Sequence, residues 1–268
     1  MNSKSFYDAH RNFALRTILE YYISPGIRCK YDILENKISQ INHFSKALDV
    51  GCSGNSFLLF EEKIKHKLLL DLAEVPLKSY QKIEKKSKND GRGKHPNQFL
   101  HPIMADTCHL PYRNEKLDLI SALDVLEHIK DDKLAIDEIT RILKKKRYLV
   151  LTVPHQMRYF DEQDKMIGHY RRYEIEYLKK VFLNRNYHVI DIFGVYGQLF
   201  KISKIQKYDP TRIEEGIINL RYRYISSAFF RMIWSLFASL FAFFMRIDAR
   251  YQPLNRILNI GLLLQKIE

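Results

Sequence analysis

Residues 47–55 read ALDVGCSGN, and residues 68–72 read LLLDL. Each stretch contains a short apolar run followed by an aspartate, which is the pattern of a strand buried in a parallel sheet. After the first aspartate, Asp49, the chain enters a turn that contains Gly51 and Gly54. A glycine turn at the carboxyl end of a first strand lets a ligand approach the backbone closely. The two stretches therefore predict an α/β sheet with a ligand at its carboxyl edge.

The alternation of apolar runs with amphipathic stretches continues along the chain. Further strands are predicted in FLHPIMAD (99–106), LDLISALDV (117–125), RYLVLTVP (147–154), YHVIDIFGV (187–195) and GLLLQKIE (261–268). One helix is predicted after the first strand, through Ile64, and another over residues 131–145, where apolar residues recur on one face. The predicted fold class is α/β: a Rossmann-like, doubly wound, seven-stranded sheet, mostly parallel, with an antiparallel last strand.

Four segments are predicted around this sheet. Residues 1–44 are expected to form an N-terminal helical lid, and residues 45–196 the core of the ligand-binding domain. Residues 197–258 are expected to form an apolar, basic helical insertion before the last strand, which occupies residues 259–268.

Composition narrows the class of protein. The chain has 268 residues, 46% of them hydrophobic, with 44 Lys and Arg against 31 Asp and Glu, for a net charge of +13. This composition excludes disordered, collagenous and coiled-coil proteins. The cysteines, Cys29, Cys52 and Cys108, are too scattered for a disulfide framework or a zinc site, so no metal is predicted. The polar start of the sequence lacks a signal-peptide pattern, and a cytoplasmic location is expected.

The acidic residues at the strand ends select among nucleotide-type ligands. Asp71 lies 22 residues after Asp49, where a carboxylate can accept both hydroxyls of a ribose. A nicotinamide dinucleotide would place its pyrophosphate at the glycine turn, beside the carboxylate of Asp49, which repels it. The same carboxylate attracts a cation, such as the amino group and sulfonium of S-adenosylmethionine. S-Adenosylmethionine is therefore the predicted cofactor.

Several ordered motifs resemble those of class I S-adenosylmethionine-dependent methyltransferases with a type 11 methyltransferase domain. The matching stretches are ALDVGCSGN (47–55), LLLD (68–71), MADTCHLPYRNEKLDLISALDVLEHIKDD (104–132), LAIDEITRIL (134–143), YLVLTVPH (148–155) and DEQDKMIGHYRRY (161–173). The resemblance covers about residues 45–195. Ser53 departs from the family pattern, which commonly has a second glycine there, and Gly54 with Asn55 is expected to supply the left-handed backbone instead.

The resemblance implies a set of cofactor-binding residues. It places Asp49, Gly51, Cys52 and Gly54 around the methionine part of the cofactor, and Asp71 with Leu72 at the ribose. It places Asp106 and Thr107 beside the adenine, and Leu123 and Asp124 at the end of the fourth strand, facing the cofactor.

Three histidines are candidate general bases because imidazole takes up a proton near neutral pH. His128 follows the fourth strand, His155 follows the fifth, and His169 lies in the loop beyond it. The resemblance also leaves open that Glu127 and His128 bind a divalent metal, as proposed for similar quinone methyltransferases. Each histidine also has a structural interpretation, as a buried hydrogen-bond donor.

Arg171, Arg172 and Tyr173 are predicted to bind an acidic substrate group. Adjacent arginines cannot share one helix face, so one of them is expected to pair instead with Asp161, Glu162 or Asp164. The alternative is a loop held together by ion pairs to that acidic cluster.

The insertion contains the most apolar stretch of the chain. Met232 to Met245 is fourteen residues without a charge, bounded by Arg231 and Arg246. A helix of that length measures about 21 Å, short of a hydrocarbon core of about 30 Å. Residues 200–268 carry eleven Lys or Arg against five Asp or Glu. Two interpretations stay open: a core helix, or a helix that lies in the plane of an anionic membrane surface.

The predicted function is S-adenosylmethionine-dependent methyl transfer to a small-molecule or lipid-like acceptor, with an anionic membrane surface as a second partner. A peripheral position on the inner face of the membrane would follow from that contact. The alternatives are an RNA methyltransferase, suggested by the basic stretch at 82–95, and a non-catalytic membrane-surface protein that keeps the fold. Nucleic acid is not the expected partner, because the basic stretch lacks aromatic residues on which bases would stack.

Overall fold

A seven-stranded sheet lies at the centre of the computed structural model, which describes residues 16–41, 44–89, 98–204 and 209–267. The strands are β1 (Lys46–Val50), β2 (His66–Asp71), β3 (Phe99–Met104), β4 (Leu117–Leu123), β5 (Leu143–Pro154), β6 (Tyr187–Tyr196) and β7 (Asn259–Lys266). Their order in the sheet is β3-β2-β1-β4-β5-β7-β6, with β1 to β5 parallel and β7 antiparallel to both of its neighbours. The predicted fold class is confirmed, including the antiparallel last strand.

Eight α-helices accompany the sheet in the described part of the chain. They are α1 (Leu19–Ile23), α2 (Pro25–Ser39), α3 (Glu74–Asn89), α4 (Asp132–Ile142), α5 (Glu162–Met166), α6 (Ile175–Leu183), α7 (Pro210–Ser226) and α8 (Ala228–Tyr251). Local chemistry explains several of their starts. The hydroxyl of Ser24 caps α2, which has Pro25 in its first turn, and the carboxylate of Asp131 accepts from the Leu134 N–H at the start of α4.

Apolar residues of the strands alternate between two cores on the two faces of the sheet. Leu48 and Ile120 belong to the core that contains α4 and α6 residues, whereas Ala47 and Leu119 belong to the core that contains α2 and α8 residues. Successive side chains of a strand point to opposite faces, so a strand buried on both faces is apolar throughout. The sheet is therefore covered on both sides, as a doubly wound fold requires.

The helix predicted after β1 is absent. Residues 57–60 instead form a single 3-10 turn between β1 and β2, capped by the hydroxyl of Ser56. Phe57 and Leu58 are buried there, so their burial produces the apolar pattern without a helix. The basic stretch at 82–95, whose glycines predict a loop, is helical in its first part, because the backbone of α3 continues through Asn89. Residues 90–95 lie outside the described residues.

The lid and the insertion meet on one face of the sheet. Helices α7 and α8 follow β6, and α8 packs against α2 and β6. Gly194 of β6 permits this close approach, since a Cβ there would lie 2.3 Å from the carbonyl oxygen of Ala249. Of the predicted segments, residues 1–15 and 42–43 of the lid, 205–208 of the insertion and 268 of the last strand lie outside the described residues.

Candidate active site

The turn after β1 lies where the order of the strands reverses, between β1 and β4. Open α/β sheets bind their ligands at the carboxyl edge at this point. Gly51 has a φ of 65°, and a Cβ on it would lie 2.4 Å from Cγ2 of Val125, so only glycine fits. Ser53, with a φ of 48°, adopts the second left-handed conformation itself. The expectation that Gly54 and Asn55 would supply it is wrong.

Side chains from other elements hold this turn in place of a following helix. The hydroxyl of Tyr80 accepts from the Ser56 N–H at 2.8 Å and donates to the carbonyl of Cys52 at 3.2 Å. The hydroxyls of Ser79 and Tyr31 donate to the carbonyls of Gly54 and Asn55. Tyr80 is fully buried, so these bonds are shielded from water. The turn is thus preorganised by α3 and by the lid helix α2.

Gly54 serves a different purpose from the one predicted for it. A Cβ at this position would lie 1.9 Å from the carbonyl oxygen of Arg16. The segment before α1 therefore crosses directly over the turn, and glycine is needed for the backbones to meet. The described residues just before α1 cover this part of the turn, and the assignment of residues 1–44 as a lid stays a prediction.

Asp49 is a buried carboxylate beneath the turn. The hydroxyls of Ser121 and Ser56 donate to its two oxygens. Burial raises the pKa of Asp49 to about 6, and the two hydroxyl donors oppose that rise. A carboxylate in this setting favours a cation beside it, because a positive charge would offset the cost of burial.

Asp71 ends β2 on the other side of the turn. One of its oxygens accepts from the Ser53 N–H at 2.8 Å and the other from the Ala73 N–H at 2.9 Å. Burial raises the pKa of Asp71, while these backbone donors lower it. Each carboxylate oxygen can accept a second hydrogen bond. The side chain of Leu72 is 65% exposed, which leaves an apolar surface next to this carboxylate.

Asp106 and Thr107 lie in the turn after β3. Asp106 accepts from the Cys108 N–H at 2.9 Å and so caps its own turn, while Thr107 is buried. Met104, the register partner of Asp71, is 62% exposed. An apolar side chain therefore flanks Asp71 on the β3 side as well as at Leu72.

Asp124, at the end of β4, is the anchor of the lid helix. The ammonium of Lys30 in α2 donates to one carboxylate oxygen, and Thr152 and Asn259 donate to the other at 2.8 Å each. Burial alone would raise the pKa of Asp124, but the Lys30 charge and the three donors hold it at about 2. Leu123, next to it, is partly buried against the core beneath α2. Lys30 was not predicted from the sequence.

Two of the predicted histidines come together beyond β4. The rings of His128 and His169 have centroids 4.5 Å apart, and Nε2 of His169 lies 3.9 Å from a carboxylate oxygen of Glu127. Nδ1 of His169 bonds to Asp164 at 2.6 Å, which orients the ring. Burial, with the neighbouring His169, lowers the pKa of His128 to about 3. The neutral form of His128 is therefore favoured.

Glu127 is fully buried, and within the described residues neither of its carboxylate oxygens has a hydrogen-bond partner. Burial and the charge of Asp124 raise its pKa well above the usual range. One donor atom each from Glu127, His128 and His169 lies within 4.8 Å of the others, a spacing that a divalent cation could use. The prediction that no metal takes part stays a prediction.

His155 lies apart from that pair. It is buried, with Nδ1 at 2.8 Å from the carbonyl of Tyr173 and Nε2 at 3.1 Å from the amide of Gln156. Burial lowers its pKa, so its neutral form is favoured. Both ring nitrogens are engaged, which suits a structural role better than proton transfer.

The arginines of the loop are held by ion pairs within the chain. Arg172 makes two bonds to Asp164, at 2.9 and 2.7 Å, and Arg171 lies 2.7 Å from Asp132. Tyr173 is buried and donates to the same Asp132 at 2.8 Å. The arrangement matches the alternative of a loop tied to acidic residues. A substrate-binding role for Arg171, Arg172 and Tyr173 stays a prediction.

Comparison with known proteins finds sequence matches over the part of the chain that contains this site. Residues 48–151 match the model of a family described as a methyltransferase domain. An uncharacterized protein of Methanocaldococcus jannaschii is 29% identical over 168 residues, which are 60% of this chain and 66% of that protein. The match spans slightly less than two thirds of that relative.

Two solved structures show the same fold. The first is phosphoethanolamine N-methyltransferase 2 of Haemonchus contortus in complex with S-adenosylmethionine, with a TM-score of 0.61, 16% identity and coverage of 100% of this chain and 60% of that one. The second is the N-methyltransferase NodS of Bradyrhizobium japonicum in complex with S-adenosylhomocysteine, with a TM-score of 0.55, 17% identity and coverage of 72% and 91%. Residues 48–151 therefore match a methyltransferase domain, and the fold is the one found in these two S-adenosylmethionine-dependent methyltransferases.

Proposed function

We propose that this protein transfers the methyl group of S-adenosylmethionine to a hydroxyl group of a lipid-like acceptor. The observation that carries methyl transfer is the pair of carboxylates, Asp49 and Asp71, on either side of the preorganised turn at Gly51. Asp71 would accept the ribose hydroxyls, and the exposed Leu72 and Met104 beside it would give the adenine an apolar surface. Asp49 would lie beside the cationic end of the cofactor.

The fit of the cofactor rests on the charge and shape of the site. When bound, S-adenosylmethionine supplies a methyl group that positive sulfur has already activated, so the protein mainly needs to position the acceptor and exclude water. The Arg16 carbonyl over Gly54, the Tyr31 hydroxyl on the Asn55 carbonyl and the Lys30 ammonium on Asp124 bring the N-terminal segment onto this edge of the sheet.

A hydroxyl acceptor must lose its proton as its oxygen attacks the methyl carbon. We assign that proton to Nε2 of His169, the nitrogen that faces Glu127, while Asp164 on Nδ1 stabilises the resulting imidazolium. The oxygen–carbon bond would form as the carbon–sulfur bond breaks, with the bonding electron pair left on sulfur. His169 is a base in this proposal because its ring is oriented by a carboxylate, whereas both nitrogens of His155 are occupied.

The lipid-like character of the acceptor is inferred from the surroundings of the lid. Helix α2, which brings Lys30 to the site, packs on the other side against the apolar helix α8. An acceptor with a long apolar part could leave its tail outside the site along this side of the protein.

The cofactor part of the proposal is tested by calorimetric titration with S-adenosylmethionine, S-adenosylhomocysteine and NAD. We expect the first two to bind, NAD not to bind, and Asp71→Ala to weaken binding at least tenfold. Asp137→Ala, which removes a carboxylate that is 57% exposed on α4, is the matched control and should bind normally. Binding of NAD in preference to S-adenosylmethionine would refute the assignment.

The acceptor part is tested with cofactor labelled in the methyl group. The protein is incubated with an organic-solvent extract, a water-soluble extract and total RNA from the same cells. Label in the organic fraction, lost in His169→Asn, is the expected result. Label in RNA, or in water-soluble products alone, would refute the lipid-like acceptor while leaving methyl transfer intact.

A further inference from the structure

Helix α8 has its large apolar side chains on the outside. Ten such residues recur every three or four positions along its outer face: Phe229, Met232, Ile233, Leu236, Phe237, Leu240, Phe243, Phe244, Ile247 and Tyr251. They are between 39% and 75% exposed. A half-exposed aromatic side chain has on the order of 100 Å² of solvent-accessible surface. The outer face is therefore a patch on the order of 1,000 Å², above the roughly 300–600 Å² of the largest patch on a typical monomer.

The inner face of α8 carries small residues. Ala238, Ala242 and Ala249 are buried against α2 and β6, together with Met245. A helix that covers the core of a soluble protein buries its large residues and exposes its small or polar ones. On α8 three of the four buried side chains are alanines, with Trp234 and Phe241 partly buried beside them, whereas ten large apolar side chains are exposed, so the interpretation as an ordinary core helix does not explain its outer face.

The charged residues near the outer face of α8 in the sequence are almost all positive. Residues 216–258 contain six arginines and a single acidic residue, Asp248. The carboxylate of Asp248 points inward, where it accepts from the Leu199 N–H at 2.8 Å. Arg223, Arg231 and Arg250 are exposed, and none of them has a carboxylate partner within the described residues. Exposed arginines beside an apolar face, with acidic groups excluded, complement an anionic surface with an apolar interior.

The length of α8 alone would allow a different arrangement. It has 24 residues with a mean hydropathy of 1.7 over its most apolar window, enough by length and composition to cross a membrane. However, Arg246 bonds to Asp32 of α2 at 2.6 Å, and the indole N–H of Trp234 donates to the Ile23 carbonyl at 3.0 Å. These polar contacts hold the whole inner face against the folded domain. A helix held this way can enter a bilayer only from the side.

We infer that the outer face of α8 docks on the surface of an anionic phospholipid bilayer, with the helix parallel to the membrane plane. Phe and Leu side chains enter the boundary between headgroups and acyl chains, and the arginines contact lipid phosphates. This inference does not depend on methyl transfer, since it concerns a surface and not the site.

Flotation of the full-length protein with lipid vesicles tests the inference directly. The vesicles contain phosphatidylcholine alone or phosphatidylcholine mixed with phosphatidylglycerol. We expect binding to the mixed vesicles, at least tenfold weaker binding to the neutral ones, and weakening as salt concentration rises. The triple variant Leu236→Ser, Leu240→Ser, Phe243→Ser should lose binding at least tenfold. Leu183→Ser with Ile190→Ser, which changes exposed apolar residues elsewhere, is the matched control.

The charge contribution is separated with a second pair of variants. Arg231→Gln with Arg250→Gln should weaken binding to the mixed vesicles, whereas Arg113→Gln with Lys133→Gln, also exposed, should not. The protein has a single tryptophan, Trp234, which lies on α8. Because its indole bonds to the Ile23 carbonyl on the inner face, its fluorescence should not be quenched by lipids brominated at the end of the acyl chain.

Calorimetry with S-adenosylmethionine establishes that each variant is folded before flotation. Absence of binding to mixed vesicles by a protein that binds the cofactor would overturn the inference. Equal binding to neutral and anionic vesicles would contradict the preference for an anionic surface. Quenching of Trp234 by lipids brominated at the end of the acyl chain would contradict the in-plane orientation of α8. A concentration-dependent dimer that the triple variant abolishes, with no vesicle binding, would assign the face to a second copy of the chain.

Discussion

The ion pair between Lys30 and Asp124 predicts an unusual pH dependence of stability for Lys30→Met. The two side chains are only 11% and 28% exposed, and the pair joins the lid helix α2 to the end of β4. In the wild-type protein the pKa of Asp124 is about 2, below its ordinary value of 3.8. The pair therefore stabilises the fold fully above pH 3.8, and this stabilisation is lost as the pH falls towards 2.

The magnitude follows from the same values. A fall in pKa from 3.8 to about 2 corresponds to ~2.4 kcal/mol of stability at neutral pH. Removal of one partner of a buried pair costs up to about 3–5 kcal/mol, because a buried charge is left without its counter-charge. Asp124 keeps the donors Thr152 and Asn259, so a loss of about 2–4 kcal/mol is expected near pH 7. Without Lys30, burial raises the pKa of Asp124, so the variant should become relatively more stable as the pH falls.

Denaturant unfolding at a series of pH values measures this difference. Lys37→Met is the matched control on the same helix, because Lys37 pairs with Asp191 at the surface and should contribute less than about 1 kcal/mol. Adding Asp124→Asn to Lys30→Met removes the unpaired charge and should recover at least 1 kcal/mol, of the order found for coupled neighbours. Equal losses in Lys30→Met and Lys37→Met, with no change across pH, would refute the reasoning.

Four further outcomes are expected around the turn and the proposed base. Gly51→Ala should abolish cofactor binding by calorimetry, because its backbone is left-handed and its Cβ would overlap Val125; unchanged affinity would contradict the tight turn. Tyr80→Phe leaves a buried N–H unpaired and should lower the free energy of unfolding by about 1–3 kcal/mol, whereas no loss in a denaturant titration would mean that water replaces the hydroxyl. The pKa of Asp49 is about 6. A cation beside it favours the carboxylate, so affinity for S-adenosylmethionine should rise with pH from about 5 to 7 and then level off, and a flat profile would place the cation elsewhere. His169→Asn should lower kcat by about 10²–10⁴ with little effect on cofactor affinity, and an equal loss in His155→Asn would contradict the choice of base.

The strands were predictable because burial on both faces leaves a plain signal. Parallel strands such as β4 are buried on both faces and mostly apolar, and their short length between turns distinguishes them from a buried helix. The absence of a helix after β1 was not predictable, because the sequence from Phe57 to Phe60 fits a buried 3-10 turn as well as the first turn of an α-helix. The choice between them depends on Tyr80 and Tyr31, which hold the turn from other elements and leave no local signal.

Some residues of the site have a local sequence signal, whereas others are brought there from distant parts of the chain and have none. Asp49, Asp71 and Asp124 could be singled out because each stands at the end of an apolar run, and strand ends share one edge of a parallel sheet. Lys30 could not, since it is 94 residues from Asp124 in the chain and one of many lysines in a basic protein. Residues 232–245 of α8 are apolar on nearly every side, so composition could not indicate which face of the helix would be covered.

The lid helix α2 connects the site to the proposed membrane surface. Lys30 and Asp32 are two residues apart, so their side chains leave an α-helix on nearly opposite sides. Lys30 bonds to Asp124 at the site, and Asp32 bonds to Arg246 of α8 at 2.6 Å. A force that holds α8 on a bilayer is therefore transmitted to α2 by an ion pair and by packed side chains. Because the same helix carries Lys30, docking of α8 would fix the position of the lid over the site, and a lipid-like acceptor would reach the site from the side of the protein that faces the membrane.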